Sequence, residues 1–133
     1  MGIYLNPNSA LLKEGMNSEI YIDKSLMIRE LNKLVNTEQK FVCISRPRRF
    51  GKSMASDMIS SYYGKNTDSL PLFEKLKIYH DPSFKEHYGK YNVIKIDING
   101  MYRNKKQIPL VDKINQKVTA EIAKSFPDAD IDT

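Results

Sequence analysis

The sequence has few of the residues that build disulfide scaffolds and metal centres. It holds one cysteine, Cys43, among 133 residues. That excludes a disulfide framework and fits a reducing, cytoplasmic setting. Cys43 lies inside the apolar run FVCIS, so it reads as a small buried hydrophobe. With no histidine near it in sequence, it is a poor nucleophile. The two histidines, His80 and His87, have no cysteine or carboxylate cluster at ligand spacing, which argues against a metal site built on them. No apolar run approaches the roughly 18 residues of a membrane span. The N-terminus, MGIYLNPNSALL, lacks a basic stretch followed by an apolar block, so no signal peptide is expected. Met1-Gly2 would suit myristoylation, but Asn6 stands where that motif wants serine or threonine. Internal repeats and low-complexity tracts are also absent.

What is present is ordinary in bulk. An apolar fraction of 41% and a charged fraction of 28% fit one soluble globular domain with a real core. The net charge of +5, with a pI near 9.2, favours anionic partners such as nucleotides, nucleic acids or acidic lipids. The lysines are spread along the chain, as on a solvated surface. The arginines are not: Arg46, Arg48 and Arg49, three of five, fall within four positions. Arginine grips phosphate bidentately, so this cluster says more than the net charge.

Hydrophobic periodicity gives the organisation. Residues 6–9 and 14–17 read as turns. Helical spacing of Met27, Leu31, Leu34 and Val35 predicts a helix over 24–36. The unbroken apolar run 41–45 predicts a strand buried on both faces. After a loop at 46–51, Met54, Met58 and Tyr62 predict a helix over 52–63, stopped by Gly64. Residues 65–90 read as irregular. A second strand is expected at 91–98 (YNVIKIDI) and a helix at 108–126, ended by Pro127. Strands alternating with helices imply a parallel sheet flanked by helices, an α/β class.

The arginine cluster runs into Gly51-Lys52-Ser53, the end of the phosphate-binding pattern G-x-x-x-x-G-K-[ST]. Where a strand turns tightly into a helix, backbone N–H groups converge on one spot and the helix start adds partial positive charge. Gly51 lets the backbone approach closely. Lys52 supplies a mobile cation for the terminal phosphates, and Ser53 a hydroxyl for Mg²⁺. The opening glycine of the pattern would fall at position 46, which is Arg46. That is tolerable if the backbone there stays in ordinary φ/ψ space. Pro47 has no N–H to give, which matters little early in the loop. Two other readings stay open: a surface loop with a chance GKS, or a nucleic-acid or partner-binding patch using Arg46, Arg48 and Arg49. The second lacks an aromatic platform. Ser53 separates the readings, since phosphate–Mg²⁺ chemistry needs it and a basic patch does not.

SRPRRFGKS (45–53), with YIDKS (21–25) upstream, resembles the AAA-ATPase-like domain family of bacterial and archaeal proteins. Its members typically read Y-[VI]-D-K-[TS], then a helix, a short strand and R-P-R-R-F-G-K-S. LFEKLKIY (72–79) and YNVIKIDI (91–98) are similar to its later landmarks, so the resemblance covers roughly residues 20–100. A related group of archaeal-type ATPases carries G-P-R-R-x-G-K-[ST], which makes Arg46 look like a family trait. The resemblance implies a P-loop NTPase fold of the AAA-like kind, with ATP and Mg²⁺. Its Walker A loop would be Arg46, Pro47, Arg48, Arg49, Phe50, Gly51, Lys52 and Ser53, with Lys52 on the phosphates and Ser53 on Mg²⁺. Full-length members often add a C-terminal domain similar to PD-(D/E)xK nucleases, a route to nucleic acid that this sequence does not contain. Tyr21, Asp23 and Lys24 either border the nucleotide or start a helix.

The family's Walker B segment, resembling L-I-D-E-Y-D, has no counterpart here. Asp97 ends the run VIKID, but Ile98 follows where glutamate is wanted. Asp97 therefore reads as a strand-end or turn residue, with Mg²⁺ binding through water as a second reading. Two strands also make a thin sheet. The expectation is a partial P-loop sheet, truncated before the Walker B strand, with residues 1–20 as an N-terminal extension and 21–133 as the N-terminal part of the domain. The expected function is ATP binding, with hydrolysis left to the intact protein. The alternative is a non-catalytic module that uses the basic loop.

Overall fold

A computed structural model describes residues 4–45, 52–65, 68–98 and 109–128. Its elements are α1 (Ala10–Met16), α2 (Met27–Asn32), α3 (Lys52–Tyr63), α4 (Leu70–Phe73), a 3₁₀ turn (Lys77–His80), α5 (Phe84–His87) and α6 (Leu110–Ser125). The core gathers on α3. Met58 and Tyr62, one turn apart, are fully buried, and Met54 packs beside them. Leu12 of α1, Ile28 of α2, Phe73, Ile78 and Phe84 close around this stripe. Each such side chain contributes about 1.5–3 kcal/mol on burial. The rings meet edge-on: Tyr62 lies 4.7 Å from Tyr63 and 5.8 Å from Phe73, while Phe84 stacks on Tyr88 at 5.0 Å.

α3 starts and stops where its sequence pattern says. Its end is satisfied from a distant segment. Gly89, at φ +65°, donates its N–H to the Tyr62 carbonyl at 2.8 Å, and Tyr91 donates to the Tyr63 carbonyl at 3.0 Å. That backbone angle suits glycine. α6 also falls within the expected 108–126. α2 is shorter than 24–36, because the chain continues in turns to Asn36, whose φ is +63°. The 65–90 stretch holds α4, the 3₁₀ turn and α5. Helix α1 forms across one of the expected turns, at 14–17. Leu12 and, four residues on, Met16 are its only core-facing pair, a stripe too short to stand out; the helix is fixed by packing on α3.

The α/β expectation is overturned. Among the described residues there is no β-strand and no sheet, parallel or otherwise. Residues 41–45 are exposed throughout, with Phe41 87% accessible. Val42 and Ile44 border two cavities, of about 380 and 440 Å³. Cys43 is exposed, not buried. Residues 91–97 make two isolated bridges, Tyr91 to Gly64 and Ile94 to Leu5. The physical reason is that a strand is a relation between two chains of N–H and C=O groups, not a property of one run. Apolar, β-rich composition shows readiness for burial without supplying the neighbour. Among the described residues, a partial P-loop sheet truncated before Walker B is therefore not what forms.

Candidate functional site

The sequence places the candidate chemistry at the start of α3. Arg46, Pro47, Arg48, Arg49, Phe50 and Gly51 lie outside the described residues. Lys52 and Ser53 are the first two residues of α3, and both are exposed. A helix start of this length carries unsatisfied N–H groups and partial positive charge.

Residues 91–97 run back along α3. Tyr91 sits at the helix end, bound to Tyr63 and Gly64. Four residues on, the Lys95 ammonium ion-pairs with the Asp57 carboxylate, nearer the helix start. Exposure alternates along this stretch: Tyr91, Val93 and Lys95 are half-buried, while Asn92, Ile94 and Ile96 are exposed. The N-terminal chain holds it on its other side. Asn6 donates its N–H to the Val93 carbonyl at 2.7 Å, and Lys95 donates to the Tyr4 carbonyl at 2.8 Å. Glu121 of α6 clamps that chain, accepting the N–H groups of Tyr4 and Leu5 at 2.8 and 2.9 Å.

The result is a cavity of about 380 Å³ beside the first turns of α3. Its walls include Lys52 and Ser56 from α3, Val42 and Ile44 from the run before the loop, and Lys95 and Ile96. An apolar wall with a few cationic and hydroxyl groups is the usual make-up of a small-molecule site, and the volume falls in the usual range. The lining ends at Ile96. Asp97, the second-reading Mg²⁺ residue, is exposed and belongs to no strand. Among the described residues, no three His, Cys, Asp or Glu side chains group as they would to hold a metal ion. His87 instead stacks on Tyr91, with Nδ1 2.8 Å from its hydroxyl.

The YIDKS motif has a structural role. Asp23 accepts the N–H of Ser25 and the N–H of Lys77, each at 2.8 Å. The Ser25 hydroxyl, fully buried, accepts the N–H of Ile78 at 3.2 Å. Two residues of the motif thus fasten the 3₁₀ turn to the start of α2. Burial would raise the Asp23 carboxyl, but hydrogen bonds from Ser25 and Lys77 outweigh it and hold the group below its ordinary value. Among the described residues the buried Tyr21 hydroxyl has no hydrogen-bond partner, and burial, then the charge of Asp23, push it up. Lys24 is exposed. No side chain caps the start of α2, and the contacts of Asp23 hold the 3₁₀ turn.

Sequence reasoning passed over Asp57 and Lys95. The only hints were one acid on α3 and one cation interrupting the apolar run YNVIKIDI. Their pairing depends on how 91–97 lies along α3, which neither run encodes.

Against known proteins, the model of the AAA-ATPase-like family, described as predicted AAA-ATPase, matches residues 10–130. The class is thus that of the AAA-like ATPases. The chain belongs to the AAA-ATPase-like family, whose description carries an ATPase-like role and the use of ATP. No curated protein and no solved structure matches the chain. Among the described residues, no helix is long and apolar enough to cross a membrane.

Proposed function

We propose that the chain binds Mg²⁺-ATP at the start of α3, as the phosphate-gripping part of an AAA-like ATPase. The observation that carries this is Lys52: it heads a 12-residue helix, is exposed, and opens onto the cavity of about 380 Å³. In this reading the backbone of 46–51 and the first N–H groups of α3 cradle the phosphates. Lys52 meets the terminal phosphates, Arg48 or Arg49 adds charge, and Ser53 offers its hydroxyl to Mg²⁺. The bound Mg²⁺ would neutralise phosphate charge. The chain's own part is to bind, orient and hold that charge. The phosphate-binding unit spans 21–133, with 1–20 as its extension.

Calorimetric titration of the full chain with Mg²⁺-ATP tests this. Lys52→Ala is expected to weaken binding by at least about tenfold, the size of one charge-assisted contact. Equal affinities for wild type and Lys52→Ala would sink the reading. The nucleic-acid reading predicts the opposite pattern. DNA or RNA binding would show a steep salt dependence, fall with Arg48→Ala and Arg49→Ala, and ignore both Lys52→Ala and ATP.

A further inference from the structure

The Asp57–Lys95 ion pair lies where a carboxylate should be harmful to the proposed site. Asp57 is the only acidic residue of α3. It follows Ser53 by four residues, so it shares that face of the helix. The axial separation is about 6 Å, and helical side chains lean toward the N-terminus. A bare carboxylate there would offset the half-charge of the helix start and repel phosphate. Lys95 prevents this. Its ammonium pairs with the Asp57 carboxylate, and the two side chains are only 25% and 15% exposed. Solvent and salt therefore screen the pair less than a surface contact. Lys95 also lines the same cavity as Lys52.

We propose that Lys95 is a positioning residue for the phosphate site: it neutralises Asp57 and so keeps the field at Lys52 and Ser53 attractive to phosphate. This rests on the ATP-binding reading above. Lys95 acts through Asp57, not by touching the nucleotide. The consequence is a dependence on phosphate number. Removing Lys95 harms ATP binding most, ADP less and AMP least, because the uncompensated carboxylate acts on charge.

The test is a double-variant cycle on the full chain, titrated with Mg²⁺-ATP, Mg²⁺-ADP and AMP. Lys95→Met is expected to weaken Mg²⁺-ATP binding on the order of tenfold, as one unit charge at this range would. Lys95→Arg, which keeps the charge, stays near wild type. Lys95→Met with Asp57→Asn returns to within about twofold of wild type, because the repelling charge is gone. Three results overturn the proposal: unchanged Mg²⁺-ATP affinity in Lys95→Met, an equal loss for ATP, ADP and AMP, or a double variant as weak as Lys95→Met. Should Lys95→Met fail to fold by circular dichroism, the double variant carries the test, since it leaves no buried charge unpaired. Near wild-type affinity there supports the proposal, and a tenfold loss refutes it. Wild type that ignores Mg²⁺-ATP, or binding indifferent to Lys52→Ala, overturns the ATP reading itself. Lys52-dependent binding that ignores Lys95→Met overturns only this inference.

Discussion

The Asp23 carboxylate accepts the backbone N–H of Lys77 at 2.8 Å, across 54 positions of sequence. The same carboxylate holds the N–H of Ser25, so one side chain ties the start of α2 to the 3₁₀ turn. Both bonds are charge-assisted, but the site is largely solvated. Asp23→Ala is therefore expected to cost about 1 kcal/mol, measured by urea unfolding. The pH dependence has a definite sign. The folded carboxyl is held below its unfolded value. Its contribution is present above the ordinary value near 3.9 and is lost as pH falls through the lower folded one. The gap between wild type and Asp23→Ala should close only below pH ~4. A gap that persists in stronger acid would show that the charge is not what matters.

Asn32 sits at the centre of a buried polar network. Its amide donates to the Tyr62 hydroxyl at 3.1 Å and to the Ser83 hydroxyl at 3.0 Å, and its carbonyl accepts the Tyr63 hydroxyl at 2.6 Å. Asn32→Ala opens a gap and strands the Tyr63 hydroxyl away from water, while Tyr62 keeps the Phe84 carbonyl and Ser83 the Asp81 carboxylate. The expected loss is about 2–4 kcal/mol, against about 1 kcal/mol for Tyr63→Phe, which removes one donor. Equal losses would mean that packing, not hydrogen bonding, dominates at this site.

The same tyrosines set an alkaline limit. Burial pushes the Tyr62 hydroxyl up to about 12, and Tyr63 higher still. Unfolded tyrosine titrates near 10. The fold therefore favours the neutral phenols. Their contribution is whole below that unfolded value and is lost as pH rises through the folded ones. Unfolding free energy should fall from pH ~10 upward, and Tyr63→Phe should reduce the slope. A flat profile over that range would show these hydroxyls to be open to water.

Legibility followed distance in sequence. α3 and α6 carry long stripes at helical spacing, and both were readable because the signal is local. The place of Lys52 and Ser53 at the start of a helix was readable for the same reason. The runs 41–45 and 91–98 misled because composition announces apolar character but not a pairing partner. α1 could not be read, because Gly15 makes sense only against Met54. Asp57 and Lys95 stayed hidden because they are 38 positions apart and meet only through the path of 91–97.

Gly15 marks the close approach of α1 to α3. A Cβ built there collides with the Sδ and Cε atoms of Met54. Glycine inside a helix costs about 1 kcal/mol relative to alanine, so this one is kept for space. Gly15→Val is expected to destabilise by about 1–3 kcal/mol through overpacking. Met54→Ala in the same chain should recover part of that loss, because the colliding group is the end of a flexible side chain. Additive losses in the double variant would show that α1 and α3 do not press together at this point.

Phe41 separates the observed fold from a buried-strand reading most directly. Its ring is 87% exposed, and Lys40 Nζ lies 5.5 Å from its centroid. An exposed ring contributes little, and an exposed cation–π contact adds about 0.5–1 kcal/mol at most. Phe41→Ser should therefore shift the unfolding free energy by no more than about 1 kcal/mol. A phenylalanine buried on both faces of a sheet would instead lose about 3–5 kcal/mol on truncation to a small residue. The two expectations differ by several-fold, well outside the scatter of a denaturant titration. A loss in the larger range would require residue 41 to be covered in solution by some other part of the protein.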